Sequence, residues 1–149
     1  MNNYQSRPIE ILLVEDSLSD AKAISKVFDR VTTSHCLRIV SDGVAAMEFL
    51  LKQGKYRTYP RPDLILLDLH LPRKDGITVL QEIKCDRRFL DIPVVVLTAS
   101  DSQRDITKCY QHEANCYLTK PSTRQELEQT VQSLSTFWLQ MVELPMIQN

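Results

Sequence analysis

Short, continuous apolar runs alternate along this chain with longer stretches in which apolar residues recur every three or four positions. The runs are Ile9-Glu-Ile-Leu-Leu-Val14, Leu37 to Val40, Leu64-Ile-Leu-Leu67, Val94-Val-Val-Leu97 and Cys116-Tyr-Leu-Thr119. Leu-rich and β-branched runs of this length read as strands buried on both faces, as in a parallel sheet covered by helices. After the first run, Ser17 with Asp20 predicts a helix N-cap and a supporting first-turn acid. Ile24, Val27, Phe28 and Val31 then follow the i, i+3, i+4, i+7 spacing of a helix face. Asp42 caps a second helix carrying Val44, Met47, Leu50 and Leu51, which Gly54 is expected to end. Tyr56 to Pro62, with two prolines, is a loop. Asp75 caps a helix with Ile77, Leu80 and Ile83, and Asp101 or Ser102 starts one with Ile106, Cys109 and Tyr110. Ser122 and Gln125 form a capping box for the last helix. Leu127, Val131, Leu134, Trp138 and Met141 line that helix, which stops before Pro145. Five β–α units joined by right-handed crossovers make a doubly wound α/β sheet of five parallel strands.

The 149 residues, 43% of them hydrophobic, suit one compact domain. Eighteen basic residues against 19 acidic ones leave a formal charge of −1 with no long Lys/Arg cluster, so nucleic acid is not expected as a partner. The polar segment 1–8 is expected to be flexible and has no apolar signal core. No stretch approaches the roughly 20 apolar residues a membrane span needs, so a cytoplasmic protein is expected. Cys36, Cys85, Cys109 and Cys116 form no disulfide pattern and read as reduced thiols. Cys109, His112 and Cys116 have zinc-like spacing but no fourth ligand nearby, which favours ordinary packing.

Chemistry gathers at the strand ends: Glu15 and Asp16, Asp68, Thr98 and Lys120, the last followed by Pro121. In open α/β sheets the functional crevice lies at the carboxyl ends of the strands. Each residue alone has an ordinary explanation as a cap, a strand terminus or a solvated charge. Together they bring three carboxylates, a hydroxyl and an ammonium to one layer. Carboxylates so crowded repel one another unless a cation or proton relieves them, which implies a hard divalent metal and an anion for Lys120. Asp16 and Asp68 supply oxygen ligands suited to Mg²⁺, with Glu15 acting directly or through water. Asp68 is also a candidate nucleophile, because carboxylates form aspartyl-phosphate intermediates. Thr98 and Lys120 then offer a donor and a positive charge to the oxygens of a transferring phosphoryl group. The only glycines are Gly43, Gly54 and Gly76, too few and too scattered for a dinucleotide fingerprint or a Walker A loop. Asp68-Leu69-His70 lacks the second acid of the Asp-x-Asp phosphatases, and His35, His70 and His112 suggest no Ser/His/Asp triad.

These residues resemble the receiver domains of two-component response regulators. Glu15-Asp16 is similar to the family's acidic pair, Asp68 to its phosphoacceptor, Thr98 to its Ser/Thr and Lys120-Pro121 to its Lys-Pro pair. Asp68 to Pro72 with Asp75-Gly76 resembles the loop after the acceptor, and Tyr117 falls at the switch aromatic. Ile11 to Ser17, Pro62 to Leu69, Cys116 to Lys120 and Phe137-Trp138-Leu139 look like the small regulators that serve cyanobacterial phytochromes. The resemblance implies a flavodoxin-like sheet of order 2-1-3-4-5 in a receiver domain over 9–135, with 136–149 extending the last helix. It also implies phosphotransfer to Asp68 from a sensor histidine kinase, a phytochrome. Mg²⁺ would be held by Asp16, Asp68 and the backbone carbonyl of His70, a position where relatives often carry Asn. The Lys120-Pro121 bond is expected to be cis.

The expected protein is a phosphorylation switch rather than a conventional enzyme, read through Thr98 and Tyr117 by an unidentified downstream protein. A Mg²⁺-dependent phosphohydrolase and a docking-only pseudo-receiver are the rivals. Consecutive Phe137, Trp138 and Leu139 point in different directions around a helix, so some must face solvent or a partner. A homodimer through these three residues is therefore expected.

Overall fold

In the computed structural model, which describes residues 7–147, five parallel strands form one sheet of order β2-β1-β3-β4-β5. The strands are β1 (Ile9–Val14), β2 (His35–Val40), β3 (Leu64–Leu67), β4 (Val94–Thr98) and β5 (Cys116–Thr119). Between and after them run α1 (Leu18–Phe28), α2 (Gly43–Leu50), α3 (Gly76–Lys84), α4 (Gln103–Gln111) and α5 (Arg124–Thr136). Residues 1–6 of the segment expected to be flexible lie outside the described residues, as do 148 and 149. Arg7, from the same segment, is anchored by two hydrogen bonds of 2.7 and 2.8 Å to the buried carboxylate of Asp63.

Successive strand residues point to opposite faces, and both faces of the central strands are covered, which is why β3 is wholly apolar and β1 and β4 almost so. Leu12, Val14, Ile65, Leu67, Val94 and Val96 meet Phe49, Val79, Leu80, Ile83 and Cys109 of α2, α3 and α4 on one side. Ile11, Leu13, Leu64, Leu66, Val95 and Leu97 meet Ile24, Val27, Phe28, Leu127, Val131 and Leu134 of α1 and α5 on the other. β1, β3 and β4 are interior to the sheet and nearly solvent-free. β2 is an edge strand that starts two residues before the expected Leu37 and is only partly covered. No helix among the described residues is long and apolar enough to cross a membrane.

Two local expectations are corrected. Helix α2 ends at Leu50 rather than at Gly54. Lys52, with φ 54°, takes the left-handed position after the cap, and the Gln53 N–H reaches back to the Glu48 carbonyl at 2.9 Å. That six-to-one bond closes the helix, and Gly54 (φ 56°) instead opens a single 3₁₀ turn, Gly54–Tyr56. The N-cap of α5 is Thr123 rather than Ser122, with its hydroxyl accepting from the Glu126 N–H at 3.2 Å. In this frame an acid occupies the first turn, where the helix dipole favours negative charge.

The last helix passes into one π-helical turn, Phe137–Met141, with the Val142 N–H bonding to the Phe137 carbonyl five residues back at 2.9 Å. This wider turn brings Trp138 and Leu139 into the core beside α1 and α5. Phe137, packed edge-on to Trp138, stays 49% exposed and Met141 69% exposed. Of the three residues expected at a dimer interface, Trp138 and Leu139 are thus buried in their own domain, and Phe137 alone remains available to a partner.

Candidate functional site

Hydrogen bonds that extend the sheet past its strand ends hold the expected residues in one layer. The Glu15 N–H bonds to the Val40 carbonyl at 3.0 Å, that of Asp68 to Val14 at 3.1 Å, and that of Lys120 to Thr98 at 2.7 Å. The acidic pair, the central acid and the lysine therefore leave the sheet side by side from β1, β3 and β5, with Thr98 closing β4.

Lys120 is the hub of the site, with its side chain only 7% exposed. Its ammonium donates to Glu15 Oε2 at 2.6 Å, Asp68 Oδ2 at 2.8 Å and Asp20 Oδ2 at 2.9 Å. An ammonium has three protons, and all three are used. Charge-assisted contacts of this length are strong and directional. Burial opposes the Lys120 charge, but the three carboxylates outweigh it and raise its pKa.

The two buried carboxylates respond differently. Burial pushes Glu15 up to about 7, against the pull of Lys120 and of the Ser17 N–H, which donates to Oε1 at 3.0 Å. Burial also acts on Asp68, yet there the Lys120 hydrogen bond and charge prevail and hold its pKa below the usual range. The His70 N–H assists by donating to Asp68 Oδ1 at 3.2 Å. The His70 imidazole is exposed.

Oxygens of Glu15, Asp16 and Asp68 lie within 4.8 Å of one another, with Asp16 exposed and the other two buried. One ammonium cannot neutralise this group together with Asp20. The set consists of hard oxygen donors with excess negative charge, which fits a divalent cation of the Mg²⁺ or Mn²⁺ type. No other group of His, Cys, Asp and Glu among the described residues has such geometry. Cys109 is buried in the core, which raises its thiol pKa to about 11.

Thr98 is fully buried, and its Oγ1 has no hydrogen-bond partner. The hydroxyl faces Asp68 and helps keep that carboxylate ionised without completing a hydrogen bond. A buried donor without a partner carries a desolvation cost of about 1–3 kcal/mol, which an incoming acceptor would relieve. Tyr117, half-buried on β5, donates its hydroxyl to the Ser100 carbonyl at 2.7 Å and so ties the ring to the loop after Thr98.

Gly76 shapes the acceptor loop. A Cβ there would lie 2.2 Å from the Asp68 carbonyl oxygen and 2.6 Å from Leu69 Cα, closer than any side chain tolerates. The absent side chain lets the start of α3 close against Asp68, with the Gly76 N–H on the Leu69 carbonyl at 2.9 Å.

Two expectations change here. No described peptide bond is cis, so Lys120-Pro121 is trans. The trans form is the favoured one by about 0.5–1 kcal/mol, and Lys120 reaches its three carboxylates from it. Asp20, read from the sequence only as a first-turn acid of α1, is a direct partner of Lys120 one hundred positions away. Helix side chains lean toward the N-terminus, so an acid in the first turn after a strand-end pair lies over the crevice, and that signal was available in the sequence.

Comparison with known proteins follows the same lines. The response regulator receiver domain is matched over residues 11–132. The response regulator Rcp1 of Synechocystis sp. is 48% identical over 145 residues, which cover 97% of this chain and 99% of that protein. The crystal structure of the Mn²⁺-bound form of Rcp1 superimposes with a TM-score of 0.91 at 49% identity, over 93% of this chain and 100% of that one. That of the phosphorylated cyanobacterial phytochrome response regulator RcpA gives 0.91 at 43% identity, over 93% and 99%.

Proposed function

Because this chain belongs to the response regulator receiver domain family, we propose that it is a switch phosphorylated on Asp68 by a sensor histidine kinase of the phytochrome class. The observation that carries this reading is Thr98 Oγ1, a buried hydroxyl without a partner that faces the Asp68–Lys120 pair. The family match and the likeness to RcpA, a cyanobacterial phytochrome response regulator, support the acceptor and the class of donor. The receiver unit is assigned to 9–135, with 136–149 as an extension.

Asp68 attacks with a carboxylate oxygen that is ionised at neutral pH, since its pKa is held down. The phosphorus–nitrogen bond of the donor phosphohistidine breaks, a phosphorus–oxygen bond to Asp68 forms, and the imidazole leaves with the bonding pair. Lys120 follows the charge from the carboxylate to a phosphoryl oxygen, and the Thr98 hydroxyl donates to another. Glu15, Asp16 and Asp68, with the His70 carbonyl, would hold Mg²⁺. When bound, that ion offsets the negative charge of the carboxylates and the transferring group. Inward movement of the Thr98 hydroxyl frees space for the Tyr117 ring, which gives up its bond to Ser100 and reshapes the surface of β4, β5 and α4 that a downstream protein reads. Couplings of this kind are typically about 1–3 kcal/mol.

The test is intact mass after incubation with Mg²⁺ and a small phosphodonor. The protein should gain one phosphoryl group, and Asp68→Asn should gain none. Phosphorylation retained in Asp68→Asn would refute the acceptor, and steady turnover of phosphate esters would favour a phosphohydrolase.

A further inference from the structure

Asp20 holds the third proton of the Lys120 ammonium at 2.9 Å. Its carboxylate sits in the first turn of α1, where its own N–H satisfies the Ser17 cap at 3.3 Å, so its backbone is fixed independently of its side chain. We propose that Asp20 is a positioning residue for Lys120, anchoring the ammonium from the α1 side so that it stays directed at the acceptor oxygen while charge moves from Asp68 to the phosphoryl group. The inference rests on the reading of Asp68 as phosphoacceptor.

During transfer each neighbour of Lys120 has a different fate. Asp68 Oδ2 is where the new phosphorus–oxygen bond forms or its immediate neighbour, so the bond to Lys120 at 2.8 Å must pass to a phosphoryl oxygen. Glu15 belongs to the cluster that would hold a divalent cation, and its oxygens would then be shared between that cation and Lys120. Asp20 lies outside that cluster, so neither the new bond nor a bound cation would compete for its contact with Lys120. Lysine is a point charge on a flexible stem of four carbons, so without an anchor the ammonium has several places to go. With one end of its contacts fixed on a helix, few remain.

Charge and anchoring make opposite predictions, which decides the matter. Asp20 is one more negative group near an incoming phosphoryl dianion, so as a charge alone its removal would speed phosphorylation. As an anchor, its removal slows it. Asparagine keeps an oxygen that accepts from Lys120 but carries no charge, whereas alanine removes both.

The experiment compares wild type, Asp20→Asn and Asp20→Ala. The rate of mass gain with acetyl phosphate and Mg²⁺ is followed beside urea midpoints and the NMR signal of the Lys120 ammonium. Asp20→Ala should phosphorylate on the order of tenfold more slowly, within the roughly hundredfold that a ~1 Å misplacement of a reacting group can cost. Asp20→Asn should stay close to wild type, and the Lys120 ammonium protons should exchange faster in Asp20→Ala alone. A wild-type or faster rate in Asp20→Ala, or equal changes in both variants, would overturn the proposal. So would unchanged exchange of the Lys120 protons, a result that stands even if wild type gains no mass. Absence of that gain in wild type counts instead against Asp68 as acceptor.

Discussion

The backbone N–H of Lys120 donates to the Thr98 carbonyl at 2.7 Å, so two residues that meet the same reacting group are also joined through the main chain. The bond continues the β4–β5 ladder one step beyond the Thr98 and Thr119 pair. Tyr117 lies on the same strand as Thr119, and its hydroxyl returns to Ser100, two residues past Thr98. A displacement of Thr98 toward Asp68 therefore acts on β5 at two points, through the Lys120 amide and through the Tyr117 hydroxyl.

Replacing Thr98 with valine should leave the unphosphorylated protein as stable as wild type or raise its stability by about 1 kcal/mol. The change keeps the shape of the buried side chain and removes a hydroxyl that has no partner. Its urea midpoint should not fall, whereas the difference in partner affinity between phosphorylated and unphosphorylated protein should disappear. A clear loss of stability would mean that the hydroxyl is already satisfied before phosphorylation.

Metal-free protein should lose stability as pH rises from about 5 to 8. Glu15 has an ordinary pKa of 4.5 and is raised to about 7 in the folded protein, so between those values the native state holds a proton that the unfolded chain has released. Stability falls with pH wherever the native state binds more protons. Asp68, whose pKa is lowered, acts at the acid end, where its contribution is lost as pH falls through its folded value. Lys120, whose pKa is raised, loses its contribution only in strong alkali. Urea midpoints in EDTA should therefore decline across this window, and Glu15→Gln should flatten the slope. Mg²⁺ should raise the wild-type midpoint at pH 8 by binding the ionised native cluster. A wild-type slope that survives in Glu15→Gln would exclude this origin.

Gly76→Ala should cost about 1–3 kcal/mol or more, because the new methyl meets the Asp68 carbonyl and Leu69 Cα rather than a flexible side-chain end. The residue has no positive φ among the glycines of the chain, so the damage comes from closeness and not from torsion. The same displacement moves Asp68, and divalent-metal affinity by titration should weaken along with the thermal midpoint. Gly54→Ala is the contrasting control: nothing surrounds its Cβ position, and the strain there is torsional only.

We propose a homodimer whose contact is made by Phe137 with Met141, the exposed apolar side chains of the π turn. Phe137→Ser and Met141→Ser should shift the mass by light scattering from dimer to monomer without changing the urea midpoint. Trp138→Ala should behave differently and destabilise the monomer by about 3–5 kcal/mol, since the indole lies in the domain core. A monomeric wild type at high concentration, with and without phosphorylation, would eliminate the dimer.

The strands, their parallel arrangement and the layer of Glu15, Asp16, Asp68, Thr98 and Lys120 were legible in the linear chain, because each depends on local facts. An apolar run such as Leu64–Leu67, bounded by turn residues, reads as a strand covered on both sides, and a polar residue directly after such a strand leaves the sheet at its carboxyl end. Capping by Ser17, Asp42, Asp75 and Ser102 is equally local and appears as the spacing implies. Where two local solutions competed, as with Ser122 and Thr123, or where Lys52 adopted a conformation more typical of glycine, the sequence signal did not discriminate. What only the tertiary structure decided are contacts between distant segments. Asp20 meets Lys120 across one hundred positions, Gly76 closes on Asp68, and one widened turn turns Trp138 and Leu139 inward while leaving Phe137 outside. Such outcomes depend on how helices settle on the sheet, where a rotation of part of a turn changes which side chain is buried, and helical periodicity alone does not set that angle.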